Sequence, residues 1–381
     1  MRGHLQQRSA GTWRLKVYVG RSADGRKRDV ERTVRGTRRE ATAELAKLAV
    51  EADEGRYAPA APMTFGELLY RWLAVKQLLV EPSTLASYQW VAGKYLRPAL
   101  GGRKVATLRP MELDSLYAEL YTGGLSARTV RICHTVMRQS LEQARKWGVV
   151  ARNPARDATP PGQRRHEVNP PTVDEVRALI DAARAEDPDF GVYLWLLAVT
   201  GCRRGEGCAL RWNDVDLDGG QLTIRRSIAM AGSTPYEKGT KTHQARRVAL
   251  DEATVALPRE HRVRMAERAL ALGVRLAGDA HLFADAEGRP WRPDVCTNRF
   301  GRLRVRLGLQ RVRLHDLRHF VATVLGDGGL PIATISSRLG HRDTATTLNI
   351  YTHAIPATDQ HASAYLGNLL VAAAVPTRGG L

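Results

Sequence analysis

Residues 151–171 read ARNPARDATPPGQRRHEVNPP, a run rich in proline and arginine. Proline lacks a backbone N–H and fixes φ, so neither a buried helix nor a central strand accommodates this stretch. The segment therefore divides the chain into separately packed parts, and 381 residues leave room for two or three of them. Fully extended it would span roughly 65 Å at about 3.3 Å per residue. That exceeds the width of a nucleic-acid duplex, so two lobes joined this way can grip a duplex from opposite sides.

Before the linker two patterns alternate. Trp13, Leu15, Val17 and Val19 interleave with Arg14, Lys16 and Tyr18, the period of a half-buried strand. A turn at Ala23-Asp24-Gly25 and a second strand near 28–35 follow, and Thr37 with Glu40 caps a helix to about Glu54. Residues 1–60 thus predict a small basic sheet with one helix. Residues 63–158 predict four helices. Thr64 and Glu67 form a capping box ahead of Phe65, Leu68, Leu69, Trp72 and Leu73. The other three helices run from Ser83 past Tyr95, over Met111–Tyr121, and from Ser126 through Ala144.

After the linker, residues 172–374 predict a mostly helical part with an inserted strand pair. Thr172 and Glu175 form another capping box, and the apolar run 192–199 makes a buried helix ending at Gly201. Residues 221–227 and 246–250 pair as a hairpin with Lys241 near its turn. Helices follow near 294–307, 316–327, 331–339, 343–350 and 357–374.

The net charge of +19 points to a polyanion, with nucleic acid the usual one. Residues 1–39 carry twelve Lys/Arg against three Asp/Glu, so a basic sheet face bearing Arg14 and Lys16 suits a DNA groove. Arg128 and Arg131, on the polar side of the fourth helix, suit phosphate contacts as well as they suit a solvated surface. No apolar run approaches the roughly 18 residues of a membrane span, and the N-terminus lacks a signal-peptide pattern, so the expected location is the cytoplasm. The four cysteines follow no metal-binding spacing and read as buried free thiols. The expectation is no metal and no cofactor.

Chemistry concentrates in the last third. In chain order stand Arg203 and Glu206 in TGCRRGE, Lys241 in GTKTHQARRVAL, His315 and Arg318 in LHDLRH, His341 in LGHRD and Tyr351 in NIYTH. Singly these read as a surface His–Arg pair, a solvated lysine and a core tyrosine. Together they form a phosphoryl-transfer set. A guanidinium donates two parallel hydrogen bonds to a phosphate, and Glu206 can orient that of Arg203. Arg203 and Arg318 would stabilise the transition-state charge. Tyr351 can attack once a cationic site or a base activates it, which His315 and His341 can supply, and Lys241 can protonate a leaving oxygen. From Trp147 onward the only lysines are Lys238 and Lys241, in a region where arginine otherwise supplies the cations. Lys238 stays open as an alternative to Lys241, and Tyr365 and His353 as alternatives near Tyr351.

The segments TGCRRGE, KTHQARRVAL, LHDLRHFVATVL and LGHRDTATTLNIYTH resemble the motifs of the tyrosine recombinases of the phage-integrase family. The resemblance covers nearly the whole chain. It implies a multidomain fold, mainly α with small β-sheets: an arm-type DNA-binding domain at 1–60 (a three-stranded sheet plus helix), a SAM-like helical core-binding domain at 63–158, and a mixed α/β catalytic domain at 172–374. It further implies that Arg203 and Arg318 bind the scissile phosphate. His315 would accept a proton or orient a partner, His341 would contact the phosphate, and Glu206 would support the site. Lys241 would protonate the leaving 5′ oxygen, and Tyr351 would form a 3′-phosphotyrosine. The implied activity is site-specific integration of a phage or other mobile element, on double-stranded attachment sites paired within a homotetramer. Accessory partners would be an excisionase and a host DNA-bending protein. A resolvase or transposase of the same family, or a DNA-binding protein that has lost catalysis, stands as the alternative.

Overall fold

The computed structural model describes residues 3–21, 27–53, 63–163, 169–239 and 245–340. The chain divides into two compact units, Met1–Arg164 and Arg165–Leu381.

The first unit begins with an antiparallel sheet of β1 (Gly3–Ser9), β2 (Thr12–Arg21) and β3 (Lys27–Arg35), in that order. The alternation in β2 directs Leu15 and Val17 inward, where they meet Ala41, Leu45 and Leu48 of α1 (Arg38–Asp53). Glu40 accepts the Thr37 backbone N–H at 2.8 Å, completing the anticipated helix start.

A separate helical core follows. It comprises α2 (Phe65–Gln77), α3 (Pro82–Val91), α4 (Arg97–Leu100), α5 (Pro110–Thr122) and α6 (Ala127–Lys146). Phe65, Leu68, Trp72, Leu113, Tyr117 and Met137 meet in its centre. The helix expected from Ser83 past Tyr95 runs on to Leu100, passing through a wider, π-type turn at Ala92–Leu96 before α4. Apolar periodicity does not report a change of winding of that kind.

The second unit opens with α7 (Val173–Glu186), α8 (Pro188–Thr200) and the short α9 (Arg204–Cys208). Then come β4 (Val215–Asp216), β5 (Gln221–Ile224), β6 (Arg226–Ala231), β7 (Thr234–Gly239) and β8 (Arg246–Ala249). The helices α10 (Glu252–Ala271), α11 (Pro293–Arg306), α12 (Asp316–Asp327) and α13 (Ile332–Leu339) follow. Almost every side chain of α8 is buried, as its unbroken apolar run requires.

Two expectations need correction. Residues 221–227 are not one strand of a hairpin with 246–250: β5 pairs with β8, while β6 turns away and pairs with β7. The break falls where Arg225 and Arg226 both bind the buried Asp214, at 2.8 and 2.6 Å. The twenty-residue helix α10 was not anticipated. Pro258 and many charges blur its pattern, and tertiary burial of Val255, Leu257 and His261 holds it. The segments expected as helices at 343–350 and 357–374 lie outside the described residues. Among the described residues no helix is long and apolar enough to cross a membrane, and the four cysteines are buried free thiols.

Candidate active site

The site starts where α8 stops. Gly201 closes that helix in the left-handed region at φ 66° and donates its N–H to the Leu197 carbonyl. A side chain is also excluded there by space, since a Cβ would lie 2.3 Å from Leu339 Cδ2. Gly201→Ala is therefore expected to destabilise the fold by about 2–4 kcal/mol, combining left-handed strain with overpacking. The denaturant midpoint of the variant measures this.

The chain leaves Gly201 extended and presents Arg203 immediately before α9. Glu206, on the first turn of α9, is 1% exposed and holds Arg203 twice. One carboxylate oxygen accepts the Arg203 backbone N–H at 2.9 Å, and the other accepts Nη1 at 2.8 Å. The orienting role expected of Glu206 thus takes a split form rather than a parallel fork. The oxygen that would complete a fork is shared with Arg246, whose Nη2 lies 2.6 Å away. Burial alone would raise the Glu206 pKa. The hydrogen bond and charge of Arg246, with the charge of Arg203, more than offset it and hold the carboxyl below its ordinary value.

Arg318 enters from the first turn of α12. That turn is fixed by Arg313, which donates its backbone N–H and guanidinium to the buried Asp316 at 2.8–3.1 Å. The Arg318 residue is 4% exposed. Its Nη1 donates to the Gly201 carbonyl at 2.7 Å, while its Nη2 is buried with no partner among the described residues. A buried donor without a partner costs about 1–3 kcal/mol. Burial, and then the nearby charge of Arg203, draw the Arg318 pKa down to about 9. The group stays protonated at neutral pH, and the downward direction expresses a missing counter-charge. Among the described residues three guanidinium groups (Arg203, Arg246, Arg318) surround one carboxylate, so the local balance of charge favours an anion.

His315 immediately precedes α12, with its ring edge-on to His319 at 5.1 Å between centroids. Packing around the ring, then the neighbouring charges of His319, Arg318 and Arg203, lower its pKa to about 4. The residue keeps an open face to water, which tempers the shift, but its direction leaves a neutral imidazole at pH 7 that can accept a proton.

The structure thus gathers Arg203, Glu206, His315 and Arg318 into one cluster. Lys241, His341 and Tyr351 lie outside the described residues, as do His353 and Tyr365. Lys238 lies on β7 opposite Ser227. Arg246 carried no assigned role in the sequence reading. The available signal was strand periodicity: Arg246 and the buried Val248 are two apart, so they share one face of β8.

The remaining basic candidates are dispersed. Arg14 and Lys16 on β2 are paired with acids of β3: Arg14 with Glu31, and Lys16 with Asp29 at 3.0 Å. Part of that face's charge is therefore neutralised within the sheet. Arg128 and Arg131 are exposed on α6, and Arg131 donates to the Pro161 carbonyl at 3.2 Å.

Comparison with known proteins matches both units. Residues 172–357 fit the model of the phage integrase family, and residues 64–121 fit that of the phage integrase N-terminal SAM-like domain. A "Tyrosine recombinase XerC-like" protein of Caldanaerobacter subterraneus is 26% identical, covering 94% of this chain and 96% of its own length. Two solved structures share the fold at 17% identity. The Tn1549 transposon integrase in complex with a circular intermediate DNA superposes with a TM-score of 0.68, over 80% of this chain and 99% of its own. A lambda integrase tetramer bound to a Holliday junction does so at 0.60, over 91% and 94%. The first family match spans every segment from the Arg203 turn to the position of Tyr351, and on this evidence the chain belongs to the phage integrase family, the tyrosine recombinases.

Proposed function

We propose that this recombinase cuts and rejoins attachment-site DNA with Arg203, Lys241, His315, Arg318, His341 and Tyr351 as one catalytic set, and that it integrates a mobile element. The observation that carries the reading is the buried Arg318 guanidinium, with one nitrogen unpartnered among the described residues beside the Glu206-held Arg203. A scissile phosphate supplies the missing acceptor and the missing negative charge.

The Tyr351 oxygen attacks phosphorus and the bond to the 5′ oxygen breaks. A 3′-phosphotyrosine and a 5′ hydroxyl result, with Lys241 giving its proton to the departing oxygen. Neutral His315 takes up or relays the tyrosine proton, and His341 contacts the phosphate. The 5′ hydroxyl of a second strand then attacks the phosphotyrosine, re-forming a phosphodiester and releasing the tyrosine. One phosphate ester exchanges for another at each step, so no external energy source enters.

The domains proposed for DNA contact are 1–60, arm-type and carrying Arg14 and Lys16, and 63–158, core-binding and carrying Arg128 and Arg131. Residues 172–374 form the catalytic domain. The likeness to a tetramer on a Holliday junction supports assembly of four protomers on paired sites. An excisionase and a host DNA-bending protein are the proposed accessory partners, and the cytoplasm is the proposed compartment.

The test uses the full chain and a nicked suicide duplex carrying the core site, read from the element–chromosome junctions flanking the gene. An SDS-resistant protein–DNA adduct is expected. Protease digestion and mass spectrometry should place the nucleotide on the peptide that contains Tyr351. A linked peptide from elsewhere would move the nucleophile. Tight binding without any adduct would support the non-catalytic alternative.

A further inference from the structure

Among the described residues, Arg246 is the one cation that bonds Glu206 without itself being part of the proposed catalytic set. Its side chain is 9% exposed and makes two bonds in opposite directions. Nη2 reaches the Glu206 carboxylate at 2.6 Å, and Nε donates to the Arg338 carbonyl near the end of α13 at 3.0 Å. Gly340, the left-handed residue that closes α13, lies directly against the Arg246 stem, so that a Cβ there would sit 3.0 Å from Arg246 Cδ. Arg246 also opens β8, the strand that follows the Lys241 segment along the chain.

We infer that Arg246 is the positioning residue of the active site, tying the Arg203 turn, the strand after Lys241 and the end of α13 before His341 through its bridge from Glu206 to Arg338. Without it, the Glu206 oxygen released by Arg246 takes a second guanidinium donor of Arg203 and draws that guanidinium away from the phosphate. Among the described residues Glu206 would also keep a direct bond from only one guanidinium, that of Arg203, in a buried place, so it would protonate at higher pH. This inference rests on the reading of Arg203 and Arg318 as phosphate ligands.

The experiment measures single-turnover adduct formation against pH on saturating nicked duplex, together with affinity for the same duplex and thermal melting. The variants are Arg246→Met, Arg246→Lys, Glu206→Gln, the Arg246→Met/Glu206→Gln pair and Arg203→Ala. Arg246→Met is expected to slow adduct formation about a hundredfold at neutral pH with affinity changed by less than about threefold. Its acid limb should move up by about one pH unit or more. Glu206→Gln should remove that limb, and the double variant should be no slower than Arg246→Met alone, because both changes act through one contact. Arg246→Lys keeps a charge but not the fork, so it should retain the low acid limb and lose about tenfold in rate. It also serves as the test if Arg246→Met does not fold.

Wild-type rates in both Arg246 variants would overturn the inference. So would a pH-independent loss in Arg246→Met that multiplies with Glu206→Gln. Arg203→Ala separates the two levels. If it keeps full activity, the phosphate-site reading has failed. If it is inactive while the Arg246 variants are normal, only the positioning role has failed.

Discussion

Arg318→Ala is expected to lose adduct formation by roughly 10³- to 10⁵-fold, the range seen when an arginine that stabilises a phosphoryl transition state is removed. The guanidinium is buried, fixed by the Gly201 carbonyl and left with an Nη2 that has no partner among the described residues. It therefore needs little reorganisation to meet developing charge, which is where electrostatic catalysis is strongest. Arg318→Lys keeps the charge but cannot hold the carbonyl and a phosphate oxygen with one planar fork, so it should still lose about 10²-fold. Affinity for the duplex should change little, because many phosphate contacts share the binding free energy. Stability should stay level or rise, because the variant removes an uncompensated buried cation. Single-turnover cleavage, duplex titration and thermal melting on the same protein check all three. Loss of stability in parallel with activity would make Arg318 a structural residue.

The largest stability effect is expected at the other end of α8. Asp189 lies in the first turn of that helix, 3% exposed. Its carboxylate faces His261 Nδ1 at 3.0 Å and Arg264 Nε at 2.9 Å, and it also receives Arg268. The His261 Nε2 lies 2.6 Å from the Leu282 carbonyl, so the cluster ties α8, α10 and the following loop together. Asp189→Ala leaves buried His261 and partly buried Arg264 without their acceptor, and a loss of about 3–5 kcal/mol is expected. The exposed Arg268 adds little, because water screens it.

Burial would raise the Asp189 pKa. The hydrogen bond and charge of His261, with the bonds from both arginines, overcome this and hold the carboxyl well below its usual range. A depressed carboxylate contributes stability above its unfolded value of about 3.9, and that stability is lost as pH falls toward the native value. Urea denaturation of wild type should show this loss below about pH 4, and Asp189→Asn should lack that component. Equal acid sensitivity in both proteins would assign the acid loss to other groups.

Local hydrogen-bond logic made much of the fold readable. The Thr64–Glu67 and Thr172–Glu175 capping boxes start helices where the letters predict, and Leu15 and Val17 are inward on a strand as their alternation requires. Failures came where partners are distant in the chain. The β6–β7 hairpin exists because two neighbouring arginines turn toward Asp214. The helix α10 exists because His261 and its apolar neighbours are buried against other elements.

The same division runs through the active site. The sequence by itself determined its local pairings: Glu206 stands three residues after Arg203, and His315 three before Arg318, distances over which a single helical turn brings side chains together. Only the tertiary structure decided that Glu206 is shared with Arg246, and that Arg318 spends one nitrogen on the Gly201 carbonyl and keeps the other unpartnered among the described residues. Those choices join residues far apart in the chain. Packing of α8, α12, α13 and β8 sets the distances between them, and no local spacing in the sequence encodes those distances.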